Sequence, residues 1–118
     1  MRRIAASCLA LVLLLVPGPS LAHSLLLESS PAAGSTIAAA PPELTLRFNN
    51  RIEKHLSRVR LVRDGVVPRD LPLAPGGAPD RLTAALPAIA PGKYRVEWQV
   101  LSTDGHVVTG RFSFNVKP

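Results

Sequence analysis

Three stretches of the chain alternate apolar and polar residues with a period of two. Leu44, Leu46 and Phe48 share one parity in ELTLRFN, Tyr94, Val96, Trp98 and Val100 share one in KYRVEWQV, and Phe112, Phe114 and Val116 share one in RFSFNV. Successive side chains of a strand point to opposite faces, so each stretch sends its apolar set to a core and its charged set to water, as half-buried antiparallel strands do. Weaker candidates are SLLLES at 24–29, SRVRLVR at 57–63 and RLTAAL at 81–86. Turn-forming residues separate them: Pro31 to Gly34, Pro41-Pro42, Asp64-Gly65, the Pro/Gly-rich stretch 72–80 and Pro91-Gly92. No segment shows a sustained helical period with caps, although RIEKHL is able to form a single turn. Region 64–92, with six prolines, reads as loop and edge strand. Short strands at this spacing predict an all-β domain, a small immunoglobulin-like Greek-key β-sandwich or barrel of about seven strands.

The first 22 residues follow a different pattern. Arg2 and Arg3 precede an apolar run from Ile4 to Val16, interrupted only by Ser7, and then come Pro17-Gly18-Pro19 and Ser20-Leu21-Ala22. A basic start, a short apolar middle and a small-x-small end define a secretory signal peptide. The run has 13 positions, against the roughly 20 a membrane-spanning helix needs. The expected organisation is therefore a signal peptide at 1–22 and one exported domain at 23–118. Cleavage after Ala22 makes His23 the first residue, with a free α-amine.

Composition narrows the chemistry. Beyond residue 22 there are 12 basic and 8 acidic residues and neither cysteine nor methionine, because Cys8 and Met1 lie in the leader. An exported domain of this kind has no disulfides, so packing must stabilise it, with any bound ligand adding to that. Arg47, Arg51, Arg58, Arg60 and Arg63 crowd one third of the chain. No aromatic residues are interleaved with them for base stacking, so nucleic acid is not an expected partner; the arginines read as outward strand residues that keep edges soluble.

Three histidines are present, His23, His55 and His106. His106 lies in LSTDGHVVTG between the two strongest strand candidates, with Asp104 two residues before it. In extended backbone such residues face the same side, so a carboxylate and an imidazole converge. Asp-Gly is also a common hairpin-turn dipeptide, which by itself accounts for the pair. His23 shifts the balance. A terminal histidine binds a metal through its α-amine and ring Nδ1 together, closing a six-membered chelate ring. With a nitrogen of His106 this makes three nitrogen donors, and Asp104 supplies oxygen. Nitrogen and oxygen donors in tetragonal arrangement suit Cu(II), which also heads the divalent affinity order; Zn(II) is the natural competitor. The amine, of reference pKa about 7.7–8.0, must lose its proton, so binding weakens as pH falls. Without sulfur ligands there is no dedicated Cu(I) site. His55 has no partner at ligand spacing and reads as a solvated residue. Trp98 and Tyr94 read as core aromatics, Tyr94 with a hydroxyl suited to a sandwich corner. No G-x-S-x-G context exists for hydrolysis.

The stretches AHSLLLESSPAAGSTIAAAPPELTLRF and GKYRVEWQVLSTDGHVVTGRFSFNV resemble the CopC (PcoC, YobA) family of periplasmic copper-binding proteins. The shared patterns are A-H-x-x-L, S-x-P-x-x-G and L-x-F at the start and G-x-Y-x-V-x-W-x-V-x-S-x-D-G-H at the end. The resemblance implies a small immunoglobulin-like β-barrel with Cu(II) held by His23, Asp104 and His106. It also implies a separate membrane transport partner of the CopD type, and a monomer that binds rather than turns over. Two departures stand out. Val107 occupies the position of a usual proline, and Asn50 falls near where some members carry a glutamate. The methionine-rich loop of Cu(I)-binding members is missing, which points to the subgroup binding Cu(II) alone. The expected function is sequestration or carriage of copper for resistance or homeostasis. Its rivals are an oxidative copper enzyme with an N-terminal histidine, and a metal-free interaction module.

Overall fold

In the computed structural model, residues 24–118 are described. The expected signal peptide and His23 lie outside the described residues. Among the described residues eight strands form: β1 Leu26–Ser30, β2 Thr36–Ile37, β3 Glu43–Phe48, β4 Arg58–Val62, β5 Arg69–Asp70, β6 Arg81–Ala85, β7 Gly92–Leu101 and β8 Val107–Val116. They make a three-stranded sheet in the order β1-β3-β6 and a five-stranded sheet in the order β2-β8-β7-β4-β5. The chain passes from one sheet to the other five times, which ties the two layers into one sandwich. The expected all-β class holds, with eight strands in place of about seven. β2 and β5 are the two beyond the six candidate stretches, since two residues are too few to show a period.

Each of the six sequence candidates became a strand, because its apolar parity found a facing layer. Leu44, Leu46 and Phe48 of β3 meet Val59 and Leu61 of β4, Tyr94, Val96, Trp98 and Val100 of β7, and Phe112, Phe114 and Val116 of β8 in a single core cluster. Leu82 and Ala84 of β6 complete it. Burying one such aliphatic or aromatic side chain stabilises the fold by about 1.5–3 kcal/mol, so the core, rather than any cross-link, holds the domain. Phe48 and Trp98 pack edge to face across the sheets, with centroids 5.1 Å apart. Trp98 lies directly opposite Gly110 in the β7–β8 register, and its ring fills the space that a Cβ at Gly110 would take.

The proline-rich region behaves as expected. β5 and β6 are both edge strands, and the exposed side of β6 is met by the 72–74 loop, through Ala74 N–H to Thr83 O and Ala85 N–H to Pro72 O, each 2.9 Å. That loop covers an edge that would otherwise pair with other chains. The RIEKHL segment forms a single 3₁₀ turn over Lys54–Leu56. At the far end of β7, the Tyr94 hydroxyl donates to Ala90 O and accepts from Arg63 Nη1 at 2.9 Å. This is a tyrosine corner of the kind found in immunoglobulin-like sandwiches. Among the described residues no helix is long and apolar enough to cross a membrane.

Candidate metal centre

β7 and β8 form the longest hairpin, in register from Gly92↔Val116 to Leu101↔Val107. Residues 102–106 close it. Ser102 N–H donates to His106 O at 2.9 Å and Gly105 N–H to Ser102 O at 3.0 Å. Gly105 has φ +83°, a left-handed conformation that a residue with a Cβ adopts only at a cost. Asp-Gly thus makes the turn, and in making it places the next residue. Asp104 Oδ1 accepts the His106 backbone N–H at 3.0 Å, and Oδ2 lies 3.0 Å from His106 Nδ1. The Asp-Gly turn is thus what brings the Asp104 carboxylate and the His106 imidazole together. The short carboxylate both folds the loop and fixes the ring.

A histidine whose Nδ1 is engaged by a carboxylate is oriented to offer Nε2, the arrangement common behind metal-binding imidazoles. The His106 side chain is 69% exposed while that of Asp104 is 19% exposed, so the ring reaches outward from a carboxylate set deeper in the turn. Beside the ring lies an open cleft of about 510 Å³ lined by Ser24, Leu25, His106, Val107, Val108 and Thr109. Leu25 and Val107 are more than half exposed there, and give the cleft an apolar rim.

The start of the described chain is fastened to this same turn. Ser24 and Ser102 are both buried, at 0% and 1% exposure. Ser24 N–H donates to Ser102 Oγ at 3.0 Å, and the Ser102 hydroxyl donates back to Ser24 Oγ at 2.9 Å. Leu25 is held on its other side, its N–H donating to Asn49 Oδ1 at 2.7 Å and its carbonyl accepting from Asn49 N–H at 3.0 Å. Residues 24–25 therefore bridge the three-stranded sheet, through the end of β3, to the β7–β8 turn. Ile52 also pairs with Ser102. Ser24, Ser102 and Asn49 were not singled out in the sequence, where serine and asparagine are too frequent to carry a signal alone.

Of the three residues expected at a metal site, Asp104 and His106 come together and His23 lies outside the described residues. Among the described residues no group of three or more His, Cys, Asp or Glu side chains could hold a metal ion. The His55 side chain is 76% exposed, with Glu53 Oε2 3.9 Å from its Nδ1, in keeping with a solvated residue. Elsewhere the charges act locally. Arg47 donates from Nε to Glu28 Oε1 at 2.8 Å, and this hydrogen bond, reinforced by the charge of the guanidinium, holds the Glu28 carboxyl below the usual carboxylate range.

Fold and site together define a small two-sheet β-sandwich that presents an aspartate–histidine pair on its longest hairpin, against its own N-terminal segment. The CopC domain model matches residues 26–117, and the chain belongs to the CopC family. It is 37% identical to the crystal structure of CopC from Methylosinus trichosporium OB3b, with a TM-score of 0.72, covering 81% of this chain and 95% of that one. It is 32% identical over 112 residues to Copper resistance protein C of Pseudomonas syringae pv. tomato, covering 88% of each chain. It is also 31% identical over 111 residues to Copper transport protein CutJ of Bacillus subtilis, spanning 92% of this chain but 20% of that protein.

Proposed function

We propose that this protein binds Cu(II) after export to the periplasm and sequesters or carries it, in support of copper resistance or homeostasis. Copper is its cargo, and the chemistry is coordination without turnover. The observation that carries this reading is the buried Ser24–Ser102 pair, which fastens the residue after His23 to the turn bearing Asp104 and His106. Consecutive Cα atoms are about 3.8 Å apart, so a chain beginning at His23 delivers an amine and a second imidazole to that turn. Asp104 orients the His106 ring from behind, and His23 supplies two nitrogens from the other side. This donor set fits Cu(II) and, with no sulfur in it, disfavours Cu(I).

Family membership and relatives named for copper resistance support the copper assignment. The match to about one fifth of a copper transport protein supports a partner of the CopD type. On this reading the carrier passes its ion to that membrane partner. The leader pattern at 1–22 supports export.

The test is Cu(II) titration followed by electron paramagnetic resonance, on protein beginning at His23 and on the same protein with one extra residue ahead of it. The expected result is one copper in a nitrogen-rich tetragonal site for the native start and much weaker binding for the extended form. Equal binding by both forms overturns the assignment of the amine as a ligand.

A further inference from the structure

The basic residues are not spread evenly over the two outer faces of the sandwich. On the three-stranded sheet, Arg47 stands between Glu28 and Arg81 in the register and Glu43 lies at the other end of β3, so that face carries two basic and two acidic residues and is balanced. The five-stranded sheet differs. Its solvent-facing positions carry Arg58 and Arg60 of β4, Lys93, Arg95 and Glu97 of β7, Arg111 of β8 and Asp70 of β5. Five basic side chains stand against two acidic ones, which places most of the domain's excess positive charge on this sheet.

The two carboxylates are already occupied. Asp70 Oδ1 accepts from Arg60 Nε at 3.2 Å, and Glu97 pairs with Arg95 at 3.5 Å. Among the described residues, Arg58 and Arg111 make no ion pair. The register lines Arg60, Glu97 and Arg111 in one row across β4, β7 and β8, and Arg58, Gln99 and Thr109 in the next. Strands lie about 4.8 Å apart, so β4 and β8 are about 10 Å apart across β7, and their arginines flank a channel wide enough for an extended chain. That channel is an open cleft of about 460 Å³, lined by Arg58, Arg60, Gln99, Thr109 and Arg111 with Glu97 at its base. Thr109 also lines the cleft beside His106. The basic channel thus runs into the apolar-rimmed cleft at the β7–β8 turn.

We propose that the outer face of the five-stranded sheet, centred on Arg58, Arg60 and Arg111, is a docking surface for an acidic segment of a partner protein. Guanidinium groups take carboxylates in forked, two-point hydrogen bonds, and Gln99 and Thr109 add neutral donors on the channel floor. The alternation Asp70–Arg60–Glu97–Arg111 favours a polypeptide with discrete carboxylates over a uniformly anionic lipid surface, which the two acidic residues repel. A partner seated here has its edge beside His106. On the copper reading this is where an ion is exchanged, although the docking itself does not depend on that reading.

A ten-residue glutamate peptide serves as probe, titrated into metal-free protein at low salt and followed by nuclear magnetic resonance. Expected shifts centre on Arg58, Arg60, Gln99, Thr109 and Arg111, and binding weakens as salt is raised. The double variant Arg58→Gln/Arg111→Gln loses about tenfold or more in affinity, since paired interfacial charges couple strongly. Arg47→Gln/Arg81→Gln, which removes the same charge from the opposite face, changes it little. Equal loss in both variants reduces the effect to net charge and overturns the proposal. So does peptide binding that leaves the channel signals unmoved, or an absence of binding. Co-sedimentation with phosphatidylglycerol vesicles in place of peptide binding also overturns it, in favour of a lipid surface. All of these readouts use metal-free protein, so a failed copper titration leaves their meaning intact.

Discussion

Asp104 performs two tasks with one carboxylate: Oδ1 closes the turn on the His106 N–H and Oδ2 holds the ring at Nδ1. On the proposed function its role is separable from net charge. Asp104→Asn keeps an acceptor for the backbone but loses the anion that orients and enriches the imidazole. Copper affinity should then fall by about 10- to 100-fold, the usual cost of removing such a supporting group. Competitive titration against a chelator of known affinity measures it, and a thermal melt of the metal-free variant checks that the turn survives. Undiminished affinity in a folded variant would remove Asp104 from the site. The nearness of Asp104 and His106 was legible in the sequence, but it comes from the Asp-Gly turn with Gly105 at φ +83° and not from the extended backbone in which i and i+2 share a side. The serines behind it were not legible, because their partners lie 78 positions apart and no local pattern records such a contact.

Among the strands, legibility followed length and two-sidedness. β3, β7 and β8 each bury one parity against the opposite sheet, so alternation alone located them. β2 and β5 have no period to read; β2 exists because the turn after β1 brings Thr36 and Ile37 alongside Asn115 and Val116 in parallel, a long-range accident of topology. Gly110 was equally silent in the sequence. Within a strand pattern it reads as a weakening residue, yet here it makes room for Trp98, the aromatic that meets Phe48 from the other sheet. Gly110→Ala places a methyl group inside the indole's volume, up against Trp98 Cζ2. The substitution should destabilise the protein by about 1–3 kcal/mol, the typical cost of overpacking, read as a lowered denaturant midpoint. A variant as stable as the parent would mean that the Trp98 ring moves aside without loss.

For the molecule as a whole, the proposed copper site joins its first residues to its last hairpin, so metal binding closes a loop over nearly the entire domain. A ligand that binds only the folded state stabilises it by about 2.7 kcal/mol when present at 100 times its dissociation constant. In a domain of this size that corresponds to about 10–20 °C in melting temperature. Protein loaded with Cu(II) should therefore melt well above the metal-free form, and a chelator should return it to the lower value; coincident melts would argue against a site that depends on the fold. The core this ion would stabilise is built from Leu, Val, Ile, Ala, Phe, Tyr and Trp, and residues 24–118 contain no sulfur at all. Copper in the presence of peroxide oxidises thiols to disulfides and acids and thioethers to sulfoxides, lesions that open cores and cross-link chains. On the proposed function, a carrier made in this way offers its cargo none of those targets, and so has no sulfur lesion for a reductase to repair.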